Sequence, residues 1–139
     1  MGSKEHPFSE LTQEQCLTLL AGTDIGRVGI SVSALPEVHL VRFRLAAGAI
    51  VFHTRPGSPL DRALRDAVVA FEAGQPALDD RRGWTVQVQG RANHVDDPTA
   101  FPLLERPPER LVQLAIDRVS GRWLMPGVAR DERPGGPGR

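Results

Sequence analysis

A chain of 139 residues with an apolar fraction of 40% is the size of one domain and can bury a real core. Seventeen Lys and Arg residues balance seventeen Asp and Glu residues, so no overall field draws the chain to nucleic acid or to an anionic membrane, and any anion site must be local. The single Cys16 excludes an internal disulfide, and no early apolar run has the length of a signal peptide or a membrane span, so a soluble cytoplasmic protein is expected.

Residues 1–8 show no periodicity and are expected to be a flexible arm. Thr12, with Gln15 three positions on, forms a capping-box pattern; Cys16, Leu19 and Leu20 make the apolar stripe of a short helix that Gly22 ends. Cys16 is expected to be a buried structural thiol. Val28, Ile30 and Val32 then alternate with polar or small residues, Pro36 interrupts, and alternation resumes from Val38 to Leu45, which predicts two strands of one sheet.

Ala46, Ala47 and Gly48 form a tight link into a strand over 49–54. Ser58 opens a short helix, with Pro59 at its first position and Leu60, Ala63, Leu64 and Ala67 on one face. Residues 68–73 read as a strand and 74–82 as a loop. The clearest period-two signal follows, with Trp84, Val86 and Val88 on one side and Thr85, Gln87 and Gln89 on the other.

Gly90 inside that strand predicts a bulge or a close backbone approach. A brief helix is expected over 99–104, stopped by Pro107 and Pro108, and 111–119 supplies a last strand. Residues 126–139, made of Gly, Pro and charge, are expected to be a disordered tail. The domain is thus expected over 9–125. Its connections are too short for parallel crossovers, so the six strands with short helices predict a mainly β, antiparallel barrel.

Chemistry concentrates in the run from Ile50 to Leu60. A strand ends at Thr54, turns through Pro56 and Gly57, and restarts as a helix at Ser58, which collects backbone N–H groups beside two hydroxyls and Arg55; that suits a phosphate. The same residues also suit a plain strand-to-helix turn with Ser58 as its N-cap. His6, His39, His53 and His94 lack metal spacing, so no metal site is expected. No nucleophile, base and orienting acid can be assembled, and there is no phosphate-binding loop or dinucleotide fingerprint, which disfavours hydrolytic and nucleotide triphosphate chemistry.

Val51-Phe52-His53-Thr54 with Gly57-Ser58, then Gly83-Trp84-Thr85-Val86-Gln87-Val88-Gln89-Gly90, then Val119-Ser120-Gly121-Arg122 occur in an order that resembles the pyridoxamine 5'-phosphate oxidase-like family of flavin-binding split barrels. The resemblance covers Leu11 to about Leu124. It implies a six-stranded antiparallel split β-barrel of Greek-key type with short flanking helices. It also implies a homodimer with two flavin mononucleotide (FMN) sites at the interface.

By the resemblance, Leu40, Val41, Arg42 and Phe43 would lie along the ring and ribityl chain. Thr54 and Ser58, in the turn that begins with Phe52 and His53, would reach the phosphate, and Trp84 with Thr85 would complete the pocket. Where many relatives have Lys after the Ser of the turn, this chain has Pro59, which offers neither charge nor an N–H. Arg42 and Arg55 are the replacement cations to consider.

Beside these stand plainer readings: His53 as a solvated edge-strand imidazole, Trp84 as core, and Arg42 with Arg44 as a solvated stripe. The expected function is an FMN-dependent oxidoreductase acting on a small molecule, with no catalytic side chain assigned. The alternatives are the deazaflavin F420, or a non-catalytic dimer that binds flavin or haem.

Overall fold

The computed structural model describes residues 8–97 and 109–126. The expected helix over 99–104, its stop at 107–108, and nearly all of the two termini lie outside them. Ten elements follow in order: β1 (Phe8–Glu10), α1 (Gln13–Ala21), β2 (Ile25–Val32), β3 (Leu35–Ala46), β4 (Ala49–Thr54), α2 (Pro59–Ala63), β5 (Ala67–Gln75), β6 (Gly83–His94), β7 (Arg110–Ala115) and β8 (Arg118–Leu124).

Six of the strands close on themselves. The order β6-β5-β2-β3-β4-β7 returns to β6, all neighbours antiparallel, while β8 and then β1 extend the sheet from the first half of β6. The antiparallel six-stranded barrel expected from the sequence is the observed fold. Closure leaves little open edge, and side-chain parity sends one set of residues inward.

The inner set is apolar: Val28 and Ile30, Val41 and Phe43, Ile50 and Phe52, Val69 and Phe71, Val86 and Val88, Val112 and Leu114. Phe43 and Phe71 meet edge to face, centroids 4.8 Å apart. Helix α1 plugs one end with Cys16 and Leu20, both fully buried. Its start is the capping box read from the sequence: Thr12 Oγ1 accepts from Gln15 N–H, and Gln15 Oε1 accepts from Thr12 N–H. Burial pushes the Cys16 thiol pKa up, which keeps it protonated and unreactive.

Four sequence expectations change. Helix α2 ends at Ala63 with Leu64 as its C-cap, so Ala67, expected on the helix face, instead opens β5. Pro36 does not interrupt a strand; it sits inside β3 opposite Ser31, and β3 is paired with β4 only from Phe43 onward, so the missing N–H falls where proline is tolerated. The two strands meet instead through Ser33 and Ala34, both at positive φ. The predicted loop over 74–82 begins later, because Gly74 and Gln75 continue β5 opposite Thr85 and Trp84.

The last predicted strand is two strands. β7 pairs with β4 and with Ala92–His94, whereas β8 pairs with Gly83–Gln89, so the chain must step sideways between them. It does so opposite Gly90. Between the pairs Gln89↔Arg118 and Ala92↔Leu114, β6 has two residues and the other side has three, Ala115, Ile116 and Asp117. A Cβ on Gly90 would lie 1.7 Å from the Ala115 carbonyl oxygen. The close approach expected at Gly90 is therefore the corner that splits the sheet.

Candidate functional site

The turn between β4 and α2 carries the residues singled out for phosphate. Strand β4 is buried on both faces apart from half-buried His53, and parity sends Thr54 inward with Ile50 and Phe52. Ser58 caps α2, its Oγ accepting from Asp61 N–H, and Pro59 occupies the first turn as expected. Gly57 takes φ of +83°, a conformation glycine tolerates without strain.

What fills this turn was missed in the sequence. Asp61, 2% exposed, turns its carboxylate back into the corner. Its Oδ1 accepts from Thr54 Oγ1 at 2.7 Å and from Arg110 Nε at 2.9 Å; its Oδ2 accepts from Gly57 N–H at 2.8 Å. His94 Nε2 lies 2.9 Å from the Asp61 main-chain oxygen and 3.4 Å from Oδ1. A carbonyl oxygen only accepts, so Nε2 carries a proton, while the buried Nδ1 meets no partner among the described residues. These residues come from β4, α2, β6 and β7, so no local motif could announce them.

Burial alone would raise the Asp61 pKa, but the hydrogen bonds from Thr54 and Gly57 and the charges of Arg110 and His94 outweigh it and hold the carboxyl below its ordinary value. A depressed carboxyl stabilises the fold above its unfolded pKa, and that stabilisation is lost as pH falls through the folded value. The stability difference between the wild type and Asp61→Asn should therefore be constant near neutrality and shrink below about pH 4. Urea unfolding midpoints measured between neutral and strongly acid pH check this; a difference that instead grows on acidification would contradict the ionised state.

The other predicted site residues divide by parity into two sets. Val41, Phe43, Phe52 and Trp84 point inward and are core residues. Leu40, Arg42 and Thr85 lie on the outer face, Leu40 being 66% exposed. Arg42 Nη1 donates to Asp24 Oδ2 at 2.9 Å in an exposed pair, which is worth at most about 1 kcal/mol and is easily exchanged for another anion. Thr85 Oγ1 donates to Glu72 Oε2, and Arg27 pairs with Oε1 of the same carboxylate, each at 2.9 Å. Arg55 is exposed at the turn. Arg42 and Thr54 thus lie on opposite faces of the sheet and cannot grip one phosphate together.

The outer face of β2, β3, β5 and β6 holds a groove of about 690 Å³. Small residues floor it, notably Gly29 and Ala70, which are register partners. Val38 and Val68, 70% and 67% exposed, stand at its sides. Gln89, Asp117 and Arg118 are shared with an adjoining polar groove reaching Gln13 and Ser120. None of the residues assigned to the flavin by the resemblance lines either groove, although Gln87, Gln89, Gly90, Val119 and Ser120 of the quoted motifs do. No helix among the described residues is long and apolar enough to cross a membrane.

Comparison with known proteins agrees with this architecture. The family profile described as pyridoxamine 5'-phosphate oxidase matches residues 12–123. An uncharacterized protein of Mycobacterium tuberculosis, Rv0080, is 35% identical over 117 residues, covering 79% of this chain and 76% of that protein. Among solved structures, the FAD binding protein from Mycobacterium smegmatis superposes with a TM-score of 0.68 at 26% identity, covering 84% of this chain and 97% of that one. The FAD and heme binding protein from the same organism superposes at 0.66 with 18% identity, covering 84% and 73%, a likeness of fold alone. With the profile spanning most of the barrel and the strands in the matching arrangement, the chain belongs to the pyridoxamine 5'-phosphate oxidase-like family of flavin-binding split barrels.

Proposed function

We propose that the protein is a flavin-dependent oxidoreductase that works as a homodimer, with FMN as its cofactor and a small molecule as its substrate. The observation that carries this reading is the outer apolar face: Val38 and Val68 stand exposed at the sides of a groove floored by small residues, and Leu40 is exposed on the same face of β3. Such a surface favours a planar ring and a partner subunit over water. A bound flavin supplies the hydride or electron chemistry, and the protein's part is to hold the ring, tune it and exclude water.

The donor set divides the fit. The outer face suits the ring, with Leu40 apolar, Arg42 cationic and Thr85 polar on that side. At the turn, Thr54 Oγ1 and Gly57 N–H are already donated to Asp61, so the groups left for a phosphate are Arg55 and the Ser58 hydroxyl, whose own proton is not used in accepting from Asp61.

The visible spectrum of freshly purified protein, followed by titration with FMN, FAD and F420, tests the reading. A flavin band, or saturable quenching of added FMN fluorescence, is expected. A Soret band would replace flavin by haem, tight binding of F420 alone would replace it by the deazaflavin, and a colourless protein that ignores all of them would leave a non-catalytic barrel. A second expectation concerns the dimer: Val38→Glu would bury an unpaired carboxylate, which costs several kcal/mol. It should therefore sediment as a monomer and lose flavin. A dimer of wild-type affinity in this variant would remove the outer face from the interface.

A further inference from the structure

The Asp61 carboxylate sits where three donors converge from two strands and the turn before α2: Thr54 O–H at 2.7 Å, Gly57 N–H at 2.8 Å and Arg110 Nε–H at 2.9 Å, with His94 Nε2, which donates to the Asp61 main-chain oxygen, 3.4 Å from Oδ1. One hydroxyl, one amide and one guanidinium around a single anionic group, with an imidazole beside them, is the donor set of an oxyanion receptor. His94, its side chain only 9% exposed, closes the corner from β6 and holds the Asp61 main chain at 2.9 Å, which fixes where the carboxylate sits.

We propose that this corner is an oxyanion site that the chain occupies with its own side chain, and that Asp61 is a specificity-determining residue. Its negative charge takes the donors that a phosphate would need and repels any second anion. The anionic end of a cofactor is thereby kept outside the corner, on Arg55 and the Ser58 hydroxyl. A flavin whose phosphate is held on that rim is exposed to salt, and its exchange is faster than in a protein whose turn encloses the phosphate. This last point rests on the flavin reading. The occupied receptor does not, and is tested without flavin.

The probe is inorganic phosphate, compared with chloride at equal ionic strength. In the wild type, the Gly57 amide resonance should not respond to phosphate, because its proton is held by Asp61. In Asp61→Ala the carboxylate is gone and the donors remain, so phosphate should stabilise the fold, raising the folding equilibrium constant about tenfold at ten times its dissociation constant. If Asp61→Ala does not fold in chloride, recovery of folded protein in phosphate is the same result. Asp61→Asn should fold without phosphate and show no such gain, since the amide still fills the corner. A saturable Gly57 response in the wild type, or an Asp61→Ala protein to which phosphate and chloride are equivalent, would overturn the proposal whether or not the protein binds flavin.

Discussion

Asp61→Ala should cost about 3 kcal/mol of stability, the lower end of the range for removing one partner of a buried ion pair. The lower end applies because Arg110, with its side chain 34% exposed, regains water when its partner leaves. Thr54, which is 4% exposed, and the Gly57 amide cannot do so as readily, and each unsatisfied group adds a desolvation penalty of about 1 kcal/mol or more. Urea unfolding at neutral pH measures the loss. Thr54→Val, which removes one donor and leaves the carboxylate paired with Arg110 and Gly57, should lose less. Equal losses for the two variants would mean that the hydroxyl, not the carboxylate, is the hub.

Gly90→Ala should be at least as damaging, about 3 kcal/mol or more, because an overpacked site is costly when nothing near it can yield. The added Cβ would meet the Ala115 carbonyl oxygen at 1.7 Å and its carbon at 2.8 Å, and both are backbone. Relief requires β6 to move away from the step between β7 and β8, which breaks the Asp117 N–H bond to the Gln89 carbonyl. Gly29→Ala is the control. Its Cβ would find only Ala70, at 3.9 Å, an ordinary contact, so its stability should change by less than about 1 kcal/mol. Thermal unfolding of the two variants side by side separates a steric requirement from a general cost of replacing strand glycines.

Some of the architecture is legible because it is local. The capping box of Thr12 and Gln15, the two-residue link at Ala47 and Gly48, and Pro59 in the first turn of α2 each depend on neighbours within four positions. The period-two pattern of Trp84 to Gly90 announced both a strand and its inner face, and the inner face is core. The same parity rule divides the residues that the resemblance groups together. Leu40, Val41, Arg42 and Phe43 read as one strip, but alternate side chains face opposite ways: Leu40 and Arg42 lie on the outer face, and Val41 and Phe43 are buried inside the barrel.

The single strand predicted over 111–119 failed for a complementary reason. Its apolar run is continuous, and the step at Ile116 and Asp117 is forced by the strands it meets: β7 is claimed by β4, and β8 by the first half of β6. Nothing in the run itself records that change of partner.

The order of apolar and polar residues along this chain determined which segments are strands, which side of each faces inward, and hence a closed antiparallel barrel, because burial acts on every strand through its own two-residue period. Only the closed structure decided what the turn after β4 holds. Asp61, His94 and Arg110 lie up to 49 positions apart in sequence and share one carboxylate only when α2, β6 and β7 converge at the barrel's end. A hydrogen bond acts over about 3 Å, so a group of side chains that far apart in the chain has no chemistry in common until the tertiary fold has brought it within that distance.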